Sequence, residues 1–113
     1  MVIGSGNRFT KAAFGGLVAG EGNTISNQST SVSGGFSNTA NGLDASISGG
    51  QFNVASGDRS SVGGGQVNHV SGAVANIVGG TGNKAGGIGT VVIGGQGVID
   101  NTNNSIAPNP PFP

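Results

Sequence analysis

The chain lacks cysteine, tryptophan and tyrosine altogether, and its aromatic residues are five phenylalanines among 113 residues. Without cysteine, no disulfide framework can form and no thiolate is available to bind a metal. The single histidine, His69, has no second imidazole with which to build a transition-metal site. We therefore expect no metal and no cofactor.

Charge is also scarce, because four basic residues are balanced by four acidic ones and the formal net charge is zero. No basic stripe is present that could follow a phosphate backbone, so nucleic acid is not an expected partner. No apolar run approaches the ~20 residues that a membrane-spanning helix needs, so membrane insertion is not expected either.

Glycine is the residue that the chain has in excess, with 25 positions. Each glycine costs roughly 0.5–1 kcal/mol more than alanine to order within a regular element, and frequent glycine disfavours helices. The aliphatic side chains are few and small, so their burial barely offsets this cost. We therefore expect the chain to gain stability by associating with copies of itself.

The glycines belong to a fifteen-residue unit that occurs four times, beginning at Ser31, Ser46, Ser61 and Asn76. Each copy contains a Gly-Gly pair, then an asparagine, then a small apolar residue and a further glycine. The same frame extends with substitutions upstream and downstream. Self-similarity at a short fixed period is the signature of a repeat architecture.

Each copy predicts two short strands separated by glycine corners, and one copy cannot bury its own apolar face. Stacking copies in a parallel β-solenoid of about seven coils would align equivalent residues in ladders at the ~4.8 Å strand spacing. The predicted aliphatic ladder is Leu17, Val32, Ile47, Val62, Ile77 and Val92. The predicted asparagine ladder, whose amides would bond from coil to coil, is Asn23, Asn38, Asn53, Asn68 and Asn83.

The pattern divides the chain into three parts. Residues 1–15 form a degenerate N-terminal coil or cap, residues 16–105 carry the repeats, and residues 106–113 form a proline-rich extended tail. Proline bars helix and interior strand from the tail, which is either disordered or a strap against a neighbouring subunit.

Residues that could carry chemistry fall at variable or corner positions of the repeat. His69 aligns with Thr39, Val54 and Lys84, which indicates an outward, solvated position. Asp58 and Arg59 lie at a corner, where a solvated turn explains them better than an acid–base pair. We therefore expect no enzymatic activity.

The unit Val-x-Gly-Gly-x-x-Asn-x-Ala-x-Gly-x-x-Ser resembles the head repeat of YadA-type trimeric autotransporter adhesins, which is also found in some phage tail fibres. The resemblance covers about residues 16–97 and is best seen in residues 46–60. It implies a left-handed parallel β-roll, a side-by-side homotrimer, and a head that binds host matrix or another surface. The family unit usually has fourteen residues and one glycine, whereas this unit has fifteen residues and a Gly-Gly pair.

The leading hypothesis is a structural and adhesive fibre segment on a cell surface or virion. It would bind an unidentified surface or glycan through outward residues such as Gln51, Gln66, Asp58 and Arg59. A second hypothesis is an extracellular filament in which solenoid ends stack head to tail, through Val2 and Ile3 at one end and Val91, Val92 and Ile93 at the other. A third is ice binding, whose usual cue is a stacked file of threonines, whereas the column here mixes Thr30, Ala45, Ser60, Ala75 and Thr90.

Overall fold

The computed structural model describes residues 2–10 and 17–108, and these residues form an all-β parallel solenoid without a helix. Residues 17–108 make about six turns, which confirms the predicted solenoid. No helix in this part of the chain could cross a lipid bilayer. The strands are β1 (Val2–Ser5), β2 (Arg8–Phe9), β3 (Leu17–Glu21), β4 (Thr24–Ile25), β5 (Ser31–Val32), β6 (Thr39–Ala40), β7 (Ser46–Ile47), β8 (Val54–Ala55), β9 (Ser61–Val62), β10 (His69–Val70), β11 (Asn76–Ile77), β12 (Lys84–Ala85), β13 (Val91–Val92), β14 (Ile99–Asp100) and β15 (Ile106–Ala107).

Successive strands alternate between two parallel sheets that run the length of the rod. The odd-numbered strands form an eight-stranded sheet in the order β1-β3-β5-β7-β9-β11-β13-β15. The even-numbered strands β2 to β14 form a seven-stranded sheet. A third ladder of single-residue bridges joins Glu21, Phe36, Gln51, Gln66, Thr81 and Gln96. The resulting rod measures 42 × 20 × 13 Å.

The core consists of columns in which equivalent residues of successive coils stack. One column contains Val32, Ile47, Val62, Ile77, Val92 and Ala107. A second column, from the other sheet, contains Ile25, Ala40, Ala55, Val70 and Ala85. A third lies in the turn and contains Thr30, Ala45, Ser60, Ala75 and Thr90. Every strand from β4 to β13 points its second residue into this core, because alternate side chains face opposite sides of a strand.

The second glycine of each Gly-Gly pair is required by the corner that follows the first strand. Gly50 and Gly65 have φ values of +87° and +86°, a region that L-residues with a side chain rarely adopt. A Cβ on Gly65 would also lie 2.1 Å from the carbonyl oxygen of Gly80 in the next coil and 2.8 Å from the Nδ2 atom of Asn68. The close stacking of coils therefore leaves no room for any side chain at this position.

The N-terminal part of the predicted aliphatic ladder was displaced by one residue. Val18, and not Leu17, pairs with Val32, whereas Leu17 pairs with Ser31. The cause is a one-residue deletion, because Gly20 of this coil corresponds to the second glycine of a normal pair and the first is missing. Counting back fifteen residues from Val32 therefore gives Leu17, whereas the structural equivalent, fourteen residues back, is Val18.

The C-terminal boundary of the solenoid also differs from the prediction. Ile106 and Ala107, which were assigned to the tail, form β15 and pair with Val91 and Val92. The segment Val91-Val92-Ile93 was predicted as an open assembly end. This is wrong, because the backbone of β13 pairs with β11 on one side and with β15 on the other. Val2 and Ile3 do lie in β1, the first strand of the eight-stranded sheet. Residues 1 and 11–15 of the predicted cap and residues 109–113 of the tail lie outside the described residues.

Replacing Ser60 with alanine should stabilise the protein. The buried Oγ atom of Ser60 has no hydrogen-bond partner, and the same column holds alanine at Ala45 and Ala75. Removing an unsatisfied buried hydroxyl should raise the free energy of unfolding by about 1 kcal/mol. Chemical denaturation at a fixed protein concentration measures this change.

A matched variant at the same column is Thr90→Val. The Thr90 hydroxyl donates to the carbonyl of Thr102 at 2.7 Å, so its removal should lower the free energy of unfolding by about 1 kcal/mol. A Ser60→Ala protein that is less stable than the wild type would contradict this account of the core.

Candidate functional site: the asparagine ladder and the outer surfaces

The five predicted ladder asparagines are fully buried and stack through the rod. The side chain of Asn53 makes three hydrogen bonds. Its Nδ2 atom donates to the carbonyl of Gly49 in its own coil at 3.1 Å and to that of Gly65 in the next coil at 3.0 Å. Its Oδ1 atom accepts from the backbone N–H of Asn68 at 3.0 Å. Both amide hydrogens and the amide oxygen are thus satisfied, as a buried polar group requires.

This arrangement explains why the asparagine precedes the second strand of each coil and does not belong to it. The backbone N–H of Asn38 donates to the Oδ1 atom of Asn23 at 2.8 Å, so a side chain replaces the strand carbonyl as its acceptor. The regular strand β6 then begins at Thr39. Spacing in the sequence does not reveal which acceptor a backbone N–H uses, so the pattern alone does not place the asparagine outside the strand.

The ladder has a sixth member that was not among the predicted ladder residues. Asn7 donates from Nδ2 to the carbonyl of Gly20 at 2.7 Å, and its Oδ1 atom accepts from Asn23 N–H at 2.9 Å. The signal in the sequence is the spacing from Gly4 to Asn7, which repeats that from Gly20 to Asn23. At the other end Val98 takes the place of an asparagine, and its N–H donates to Asn83 Oδ1 at 2.8 Å.

The C-terminal end of the second core column carries a carboxylate. Asp100 pairs with Ala85 and so follows the alanine in that column. The Ser105 hydroxyl donates to one oxygen of Asp100 at 2.7 Å, and the Thr102 N–H donates to the other at 2.9 Å. These two hydrogen bonds, that of Ser105 foremost, hold the pKa of the Asp100 carboxyl below its ordinary value. A charged residue placed at a core position of the last coil disfavours the stacking of another chain on this end.

The outward residues chosen from the sequence as candidate ligand contacts lie on different sides of the rod. Gln51 and Gln66 are neighbours in the single-residue bridge ladder and are exposed. Asp58 and Arg59 lie in the turn that follows the seven-stranded sheet, and are also exposed. The structure therefore does not bring these four residues together into one site.

His69 is exposed on the outer side of the seven-stranded sheet, as its repeat position predicted. Its Nε2 atom lies 3.2 Å from the Ser56 hydroxyl, which also donates to the carbonyl of Val70. No group of three or more potential metal-binding residues occurs in residues 2–10 and 17–108, and no pocket is found on them.

The column considered for ice binding lies inside the protein. Thr30, Ala45, Ser60, Ala75 and Thr90 are all buried in the turn and form part of the core. This column therefore presents no face to solvent.

Charge is divided unevenly around the rod from residue 31 onward. We call the uncharged side the surface that the outer side of the eight-stranded sheet, the Gly-Gly corner and the bridge ladder form from residue 31 onward, that is, residues 31–37, 46–52, 61–67, 76–82 and 91–97. The bridge-ladder residue of the preceding coil, Glu21, is charged and exposed, and lies outside this surface. The uncharged side contains no charged residue. The charged residues of this part of the chain lie on the seven-stranded sheet and in the turn that follows it, and are Asp44, Asp58, Arg59, Lys84 and Asp100.

Replacing a ladder asparagine should cost much more than replacing an exposed one. In the Asn53→Ala protein the Asn68 N–H loses its acceptor and two glycine carbonyls lose a donor, so we expect a loss of about 2–4 kcal/mol in the free energy of unfolding. Asn53→Asp keeps the acceptor but sets a carboxylate against the carbonyls of Gly49 and Gly65. Its loss should shrink as the pH falls, because a protonated carboxyl can donate to one of them.

The control for this series is Asn41→Ala, at an exposed position, which should change the free energy of unfolding by no more than about 0.5 kcal/mol. Equilibrium denaturation of all three variants makes the comparison. Equal losses for Asn53→Ala and Asn41→Ala would show that the ladder does not stabilise the coils.

A scan against models of protein families finds no match to the chain, and no curated protein matches it significantly. The relation to YadA-type heads therefore remains a resemblance in the repeat motif.

Proposed function

We propose that this protein is a non-enzymatic structural and adhesive fibre segment, exposed on a cell surface or a virion. The observation that carries the proposal is a rod 42 Å long whose strands repeat coil by coil. The repeat resemblance to YadA-type heads supports the same function, and three copies packed side by side form the proposed assembly.

The internal bonding suits a rigid rod. Each coil is joined to the next by two sheet ladders, by single-residue bridges and by the side-chain amides of the asparagines. In a solenoid each coil contacts only its neighbours, so length is gained by adding coils without changing the core. Such a rod would hold its binding surface away from the cell or virion to which the fibre is attached.

The dimensions favour packing along the rod over stacking at its ends. One long side of the outline, 42 × 20 Å, covers about 840 Å², close to the ~800 Å² per partner of a stable interface. An end of 20 × 13 Å covers only about 260 Å², well below that size. The carboxylate of Asp100 at the C-terminal end adds a further obstacle to the head-to-tail filament.

Adhesion would use many weak contacts and no single pocket. A trimer presents each outward residue three times. Linked weak contacts of this kind raise the overall avidity for a surface or glycan without any one strong site. The exposed turn residues Asp58 and Arg59 are the candidate contacts on the charged side of the rod.

The mass in solution tests the proposed assembly. Light scattering coupled to size exclusion, over a range of concentrations, should give one species of 3 × 10.7 = 32.1 kDa. A mass that keeps rising with concentration would favour the filament. A stable species of 10.7 kDa would contradict the proposed trimer.

A further inference from the structure

We propose that the uncharged side is the surface through which copies of this chain pack along their lengths, with the glycine corner at the point of closest approach. This inference rests on the proposed fibre function and specifies which side of the rod faces the partner copies. It assigns the opposite, charged side to solvent and to any adhesive ligand.

The first observation is the distribution of charge. Five coils contribute to the uncharged side without one charged residue, whereas the turn and the seven-stranded sheet hold five charged residues over the same part of the chain. Depletion of charge, more than overall hydrophobicity, distinguishes the centre of a protein interface from the remaining surface. An uncharged side can also face a copy of itself without repulsion.

The second observation is the set of large apolar side chains that this side exposes. Phe36 and Phe52 contact each other edge to face, with their ring centroids 5.5 Å apart, yet remain 40% and 51% exposed. Val67, Val78 and Ile93 on the same side are 57%, 58% and 45% exposed. The turn also exposes apolar residues, but Asp44, Asp58 and Arg59 lie among them.

The third observation is a column of glycines that the fold of the single chain does not require. These are the first glycines of the Gly-Gly pairs, namely Gly34, Gly49, Gly64, Gly79 and Gly94. None has a positive φ, and a Cβ built on any of them would meet no atom within 4 Å. The column lies on the uncharged side, where the absence of side chains lets a partner backbone come close.

A second copy of the chain fits this surface better than an unrelated protein does. A partner that contacts five successive coils must match their ~4.8 Å spacing along the whole length. Another copy has the same spacing by construction. At ~4.8 Å per coil, the five coils of the uncharged side cover roughly 24 Å of the 42 Å rod.

The test introduces charge into the open glycine column. In the Gly49→Lys/Gly64→Lys protein both side chains would extend into open space, so the solenoid itself should remain folded. The control is Thr39→Lys/Val54→Lys, which adds the same charge on adjacent coils of the seven-stranded sheet, in the column that already holds Lys84. Light scattering gives the mass and circular dichroism the β content.

We expect the glycine variant to fall to 10.7 kDa with its β content retained, while the control keeps the wild-type mass. A glycine variant that associates like the wild type would overturn this inference alone. A wild-type protein that stays at 10.7 kDa at all concentrations would contradict both this inference and the proposed trimer.

A second measurement covers the case in which the lysine variant fails to fold. The chain has no cysteine, so single Ser48→Cys and Ser71→Cys proteins each carry one thiol, on the uncharged side and on the opposite side respectively. Both serines are exposed in the single chain. In the assembled protein, maleimide should label the first thiol at least about tenfold more slowly than the second, because reaction requires access. Equal rates would overturn the inference.

Discussion

The solenoid depends on a buried side-chain amide that bonds to its own coil and to both neighbours. Asn38 donates to Gly34 and Gly50 and accepts from Asn53, while its own N–H is held by Asn23. In the dry interior each of these groups would be costly if left unpaired, so a misplaced coil loses several hydrogen bonds at once. Since the apolar columns are narrow and contain no aromatic residue, this ladder supplies the register that a larger core would otherwise impose.

The ladder in turn dictates the composition of the repeat. Its amide sits so close to the corner that a Cβ on Gly35 would lie 2.6 Å from the Nδ2 atom of Asn38 and 2.1 Å from the carbonyl oxygen of Gly50. The glycine that follows the second strand is constrained in the same way, since a Cβ on Gly57 would lie 2.1 Å from the carbonyl oxygen of Gly72. Two of the three glycine positions that recur in every regular unit are therefore explained within one chain. The remaining one, represented by Gly64, marks the side of the rod where the proposed contact with other copies is made.

Periodicity was enough to predict the parallel solenoid and both ladders over the four regular coils, because a repeated residue in a stacked fold must meet its own equivalent. It failed where the period changes. Leu17 and Val18 are both aliphatic, so only the pairing of the strands reveals that Val18, and not Leu17, belongs to the column. It also failed at the end of the rod, where Pro108 obscured the strand formed by Ile106 and Ala107. The division of charge around the rod was present in the sequence, but the placement of each repeat position on a side was needed to see it.

Amide hydrogen exchange would test most directly whether the ladder holds the coils together. Two backbone N–H groups donate to side-chain oxygens in different surroundings. That of Asn53 donates to the buried Asn38 at 2.9 Å, and that of Leu43 donates to the exposed Asp58 at 3.1 Å. If the ladder opens only when the solenoid unfolds, the Asn53 amide should exchange as slowly as the slowest amides of the protein and far more slowly than that of Leu43. Similar rates for the two amides would contradict the account, because they would show that the buried ladder opens locally as easily as a surface turn.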